Sequence, residues 1–155
     1  MNKKEAALNR AIIITEHSFQ FEKILKLKLM KAGFKNDEIG YAISKLKEAG
    51  LINDFKFAHS YGESLIGNKQ CGPSKVIAAL VQKGLDFSVA TQITANLIEN
   101  AGGEAAVLKS FIDKSQIDLS DIKSQSDKEK LVRKLSAKGF TSKTIFASLN
   151  ISSEE

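Results

Sequence analysis

Two histidines, one cysteine and eighteen carboxylates are the side chains here that could do metal, nucleophilic or acid–base chemistry. His17 and His59 each stand without a second histidine or a cysteine at ligand spacing, so no metal site is expected. Cys71 precedes Gly72, and a helix N-terminus there could activate the thiol; a structural thiol is the simpler reading. Gly67 and Gly72 follow a helical pattern rather than a strand and lack the flanking residues of a Walker or dinucleotide loop. Asp54 has no carboxylate nearby to form an acid–base pair, and capping its own helix accounts for it. Glu104 and Asp113 read as surface acids. Nothing in this set calls for a cofactor, and an enzyme is not expected.

The lysines offer a different chemistry. The chain carries a net charge of +5, about +4 of it in the first fifty residues and about none in the middle fifty. Lys23, Lys26, Lys28, Lys31 and Lys35 form one run with no acid inside it. Lys128, Lys130, Arg133, Lys134, Lys138 and Lys143 form another, broken by Glu129. Such runs are either solvated helix faces or a surface for an anionic partner such as nucleic acid.

These side chains must be positioned by helices. One proline, no tryptophan and scattered β-branched residues favour an all-α fold. Leu29–Gly33–Phe34, Leu80–Gly84–Leu85 and Leu135–Gly139–Phe140 share one pattern. A leucine stands four residues before a glycine, and a large apolar residue follows it. The glycines recur at roughly fifty-residue intervals, a spacing that signals internal repeats. Each reads as a helix C-terminus, with glycine left-handed and the next residue packing back. Leu25 with Leu29, Val76 with Leu80 and Leu131 with Leu135 then share a buried face.

A second helix is expected after each turn. One is capped by Asn36 with Ile39, Ile43 and Leu46 inward. One starts at Asp86 or Ser88 with Val89, Ile93 and Leu97 inward. The last starts at Thr141 or Ser142 with Ile145 and Leu149 inward. A third helix precedes each pair: Lys4 to Thr15; one from Asp54 carrying Phe57, Ala58, Tyr61 and Leu65; and Glu104 to Lys114. Pro73 suits a helix first turn, and Ser115 to Ser126 reads as an extended loop. The sum is three three-helix repeats, at 1–51, 52–101 and 102–155. The apolar run Ala11 to Thr15 is too short to span a bilayer. With Lys3, Lys4 and Arg10 before it, and no small-residue cleavage pattern, it reads as amphipathic helix rather than signal peptide. A lone cysteine suits a reducing cytoplasm.

Leu51-Ile52-Asn53-Asp54, then Phe57-Ala58 with Tyr61, then Gly72-Pro73, then Leu80 with Lys83-Gly84 resembles the RecX family in order and spacing. Phe19 to Phe34 and Leu135 to Phe140 resemble the family's opening and closing elements. The resemblance implies tandem three-helix repeats in an elongated, curved array, with Gly33, Asp54, Phe57, Tyr61, Gly72, Pro73, Gly84 and Gly139 as its structural residues. It also implies a regulator that binds the RecA filament and suppresses ATP hydrolysis, strand exchange and co-protease activity. Some members also bind DNA. The departures are Leu65 where many members carry arginine, a segment 65–70 one residue longer, and lysine in place of a richer arginine set. Lysine supplies point charge without bidentate geometry. On charge, Lys69, Lys75, Lys83, Lys130, Arg133, Lys134 and Lys138 are the candidate contacts to RecA or to single- or double-stranded DNA. The alternatives are a non-sequence-specific DNA-binding repeat protein, and a structural repeat protein with another partner. A cytoplasmic monomer without membrane contact is expected, because each repeat stacks on its neighbours.

Overall fold

The computed structural model describes residues 2–150, which hold α-helices and one short 3-10 turn and no strand. In chain order the helices are α1 (Lys3–His17), α2 (Glu22–Lys31), α3 (Asn36–Glu48), α4 (Asp54–Gly67), α5 (Pro73–Gln82), α6 (Phe87–Asn100), α7 (Glu104–Lys114), α8 (Gln125–Ala137) and α9 (Ser142–Ser148). The all-α fold expected from the sequence is therefore the fold found. The described residues divide into two compact units. Unit 1 holds the residues up to 58 together with 82–85, and unit 2 holds 59–81 and those from 86 onward. The division falls within α4.

Unit 1 is built on α1, α2 and α3. Asn2 starts α1: its Oδ1 accepts from the Glu5 N–H at 2.8 Å, and Glu5 reaches back to the Asn2 N–H. Small side chains let α1 lie along α3, with Ala7, Ala11 and Ala42 all fully buried. Leu25, Leu29, Ile39, Ile43, Leu46 and Ile52 complete this core, with Phe34 packed against it. The Phe34 N–H donates to Leu29 O at 3.2 Å, the closing bond of a Schellman turn.

Beside this core, Phe57 is buried with Phe21 edge-on at 6.2 Å and Phe19 stacked at 4.8 Å. Lys47 and Lys26 both reach Glu22, at 3.0 and 3.4 Å. Partial burial pushes the Glu22 carboxyl up. The bond from Lys47 and the two positive charges outweigh it and hold the group below the ordinary 4.5. A depressed carboxylate contributes stability above its unfolded value and loses it as pH falls through the folded one. Glu22→Gln should therefore melt below the parent at pH 7, and the gap should close on acidification below about pH 4.5, read by thermal unfolding across pH.

In unit 2, Val76, Leu80, Ile93, Leu97, Val107, Leu108, Phe111, Leu131, Leu135, Phe140 and Ile145 are buried. The glycine-turn leucines and valine thus face inward as their spacing predicts. On α6 the buried stripe is Ala90, Ile93, Thr94, Leu97 and Ile98, while Val89 is 39% exposed. The inward face starts one residue later than expected, because Ala90, Ile93, Thr94 and Leu97 share one 3.6-residue period. Thr94 Oγ1 is buried without a hydrogen-bond partner among the described residues. Thr94→Val keeps the shape and removes a desolvated hydroxyl, so it should stabilise by about 1 kcal/mol in chemical denaturation.

Two further local expectations differ. Lys35, not Asn36, precedes α3, and its N–H is capped by the Glu38 carboxylate at 3.2 Å. Segment 115–126 is not all extended, since Leu119–Asp121 forms a 3-10 turn. Its start is fixed by Asp118 Oδ1 accepting from Ser120 N–H and Oγ, bonds that hold the Asp118 carboxyl below its ordinary value. Finally, α8 opens at Gln125 because Ser124 Oγ accepts from the Asp127 N–H.

Candidate functional site

The Gly72–Pro73 joint starts from two sets of orphan backbone groups. The first N–H groups at the start of α5 and the carbonyls of the turn that closes α8, Lys138 O and Gly139 O, have no partner within their own helices. Here they satisfy each other. The Gly72 N–H donates to Lys138 O at 2.9 Å, and the Ser74 N–H donates to Gly139 O at 3.0 Å. The negative end of α8 thereby faces the positive end of α5. Pro73, lacking an N–H, takes the one first-turn position where none is needed.

Such contact requires two backbones without β-carbons. A β-carbon at Gly72 would lie 2.4 Å from the Gly139 carbonyl carbon and 2.5 Å from Phe140 N. One at Gly139, whose φ is +101°, would lie 2.5 Å from Lys75 Cβ.

Two candidate cations flank the joint in the chain. Lys75 lies against Gly139, and Lys138 is the residue before it. The Lys138 ammonium sits 5.2 Å from the centre of the Phe111 ring, which in turn packs on Phe140. Lys130 and Lys134 are exposed one turn apart on α8. Arg133 lines a separate open cavity of about 470 Å³ with Gln125, Lys128, Glu129, Val132 and Phe146. Lys69 is exposed on the α4–α5 link. Lys83 belongs to unit 1; the next residue, Gly84, with φ of +108°, packs on Lys23 of α2. Gly33 has φ of +95° and open space around it. Tyr61 is half-buried on α4.

Two carboxylates do more than the sequence suggested. Asp54 does not cap α4: Asn53 Oδ1 accepts the Lys56 N–H at 3.1 Å and does so instead. Asp54 Oδ1 accepts from the Glu22 N–H at 2.8 Å, capping α2 from 32 residues away. Glu104 repeats the device rather than standing as a surface acid. Its Oε1 accepts from Thr141 N–H at 2.7 Å and Thr141 Oγ1 at 2.9 Å, at the start of α9. In both cases the first residue of one helix caps another. An acid at a helix start was the available signal, and it does not say which helix is capped. Cys71 is 1% exposed, and its N–H donates to Leu65 O, so it packs as a structural thiol. Among the described residues no group of three or more His, Cys, Asp or Glu gathers at metal-holding range, and no helix is long and apolar enough to cross a membrane.

Fold and surface together define, among the described residues, an all-helical protein with a set of cations on its surface. Comparison with known proteins places it more closely. It is 30% identical over 143 residues to regulatory protein RecX of Chlorobaculum tepidum, covering 92% of this chain and 86% of that one. It is 32% identical over 127 residues to regulatory protein RecX of Clostridium perfringens strain 13, covering 82% of this chain and 57% of that one. The crystal structure of a regulatory protein RecX superposes with a TM-score of 0.77 at 20% identity, covering 96% of this chain and 71% of that one. RecX from Lactobacillus salivarius gives 0.73 at 22%, covering 96% and 95%. No family model matches the chain. The chain belongs to the RecX family of regulatory proteins. It spans 57% of the length of the Clostridium relatives and 49% of the Listeria monocytogenes ones.

Proposed function

We propose that this chain binds the RecA filament and lowers RecA's ATP hydrolysis, strand exchange and co-protease activity. Family membership supports a regulatory role, and the observation that carries the reading is the Gly72–Gly139 joint. There the backbone of Lys75 lies against Gly139, the residue after Lys138, which supports a cationic contact surface carried on rigid helix ends. Lys69, Lys130, Arg133 and Lys134 extend the cationic surface of unit 2, and Lys83 adds a contact from unit 1. The three-repeat division at 1–51, 52–101 and 102–155 belongs to the same reading, as does a monomeric, cytoplasmic protein.

RecA-catalysed ATP hydrolysis on single-stranded DNA tests it. The chain should lower the rate at stoichiometric or modest excess. K75E/K138E and K130E/R133E/K134E should each relieve that inhibition. No inhibition at several-fold excess would remove the RecA reading; inhibition unchanged in both variants would remove the site assignment. A second reading, a DNA-binding helical protein without a RecA role, draws on the basic balance of the chain. Tight, salt-sensitive binding to single- or double-stranded DNA by fluorescence anisotropy, with no effect on RecA, would favour it.

A further inference from the structure

The α1–α2 corner of unit 1 holds an open cavity of about 500 Å³ that the RecA reading does not use. Its volume falls in the ~300–1,000 Å³ range of small-ligand sites. It is lined by Arg10, Ile14 and His17 of α1, Ser18 and Gln20 of the link, and Lys28, Lys31 and Ala32 from the end of α2. Three permanent cations and an imidazole converge there, and no carboxylate lines it.

The simplest alternative is that these cations only complement two helix C-termini. Charge counting decides against it. Each C-terminus is worth about half a negative charge, so the two together offset only one of the three permanent cations. The ion pairs seen among the described residues engage Lys26, Lys45 and Lys47 rather than Arg10, Lys28 or Lys31. The last-turn carbonyls of α2 already accept bonds from its own turn, Lys28 O from Ala32 N–H, Leu29 O from Phe34 N–H and Met30 O from Gly33 N–H.

One cation is also held in place. Gln20 is 5% exposed; its Nε2 donates to Ser18 Oγ at 2.6 Å, and its Oε1 accepts from Lys28 Nζ at 3.0 Å. A buried amide thus fixes an ammonium at the cavity wall before any ligand arrives, which lowers the ordering cost of binding.

We propose that this cavity is a phosphate-binding site. Arg10 and Lys31 supply exposed charges, Lys28 the one held by Gln20, and Ser18 and His17 hydrogen-bonding capacity. The phosphate comes either from a nucleic-acid backbone or from a small free polyphosphate. The proposal stands independently of the RecA reading. Phe19 separates the two sources. It lies between the cavity residues Ser18 and Gln20, one face stacked on Phe57, and is 76% exposed, so a base of a strand has an aromatic surface within reach.

The test is a binding titration of the full chain with a fluorescent single-stranded oligonucleotide and, by calorimetry, with inorganic pyrophosphate. R10A/K31A is compared with parent and with the control K109A, all checked for equal melting temperature. A strand seated in the cavity should lose affinity at least tenfold in R10A/K31A and not in K109A. The slope of log affinity against log salt should fall by roughly 0.7 per cation removed, and Phe19→Ala should weaken the strand alone. Pyrophosphate binding that is lost in R10A/K31A while Phe19→Ala is silent assigns the site to a free polyphosphate. Binding of neither probe, or equal binding by parent and R10A/K31A, overturns the proposal.

Discussion

Gly139→Ala will lower stability by about 3 kcal/mol, from two independent costs. At φ of +101° an alanine is held in a backbone region that L-residues disfavour, costing roughly 1–2 kcal/mol. Its β-carbon would also fall 2.5 Å from Lys75 Cβ and 2.6 Å from Lys75 N. Forcing apart packed groups of this kind costs typically ~1–3 kcal/mol. For a chain of this size the expected fall in Tm is about 6–12 °C. Gly72→Ala carries no such dihedral penalty, yet the atoms nearest its β-carbon are all backbone, 2.4–2.6 Å away at Gly139 and Phe140. Separation there also breaks the bonds to Lys138 O and Gly139 O. Each buried N–H left unpaired adds about 1–3 kcal/mol. Once either alanine has opened the joint, the other has less left to break. The double variant should therefore lose less than the two single losses combined, and a double-mutant cycle by urea denaturation reads that coupling. Full additivity would mean the two glycines serve separate contacts.

Asp54→Ala will cost about 1–3 kcal/mol, and the loss will appear in α2 rather than in α4. The Glu22 N–H loses its acceptor, and a negative charge leaves the N-terminus of α2. The α4 start keeps Asn53, so its own helix survives. Hydrogen exchange should show faster opening over residues 22–31 with residues 56–67 little changed. Asp54→Asn keeps an acceptor and should recover much of the loss. Exchange accelerated mainly in α4 would return Asp54 to the local capping role that its sequence context suggests.

These two sites mark where sequence reading stops. Helix order, the three glycine turns and the buried pairs Leu25 with Leu29, Val76 with Leu80 and Leu131 with Leu135 follow from periods of three and four, which are local signals. Asp54 misleads because an acid at a helix start looks the same whether it caps its own helix or another, and only tertiary placement chooses Glu22. Val89 fails for a related reason: a stripe on α6 starting at 89 or 90 fits the spacing almost equally, and packing selects Ala90. Among the candidate contacts, charge alone named Lys75 and Lys138, but nothing local could reveal that the start of α5 bonds to the turn that closes α8. The cavity lined by Arg10, Lys28 and Lys31 was invisible for the same reason, since α1, α2 and the link between them all contribute to it.

The bonds between Gly72 and the end of α8 also order events in time. During synthesis from the N-terminus, the helix beginning at Pro73 leaves the ribosome well before residues 138 and 139 exist. Its first amides have only water until the closing turn emerges. Contacts that span so much chain form late and slow folding. Unit 2 should therefore stay open until α8 and its closing turn are made. A nascent chain stalled before Gly139 would be the form most exposed to proteolysis and to chaperones.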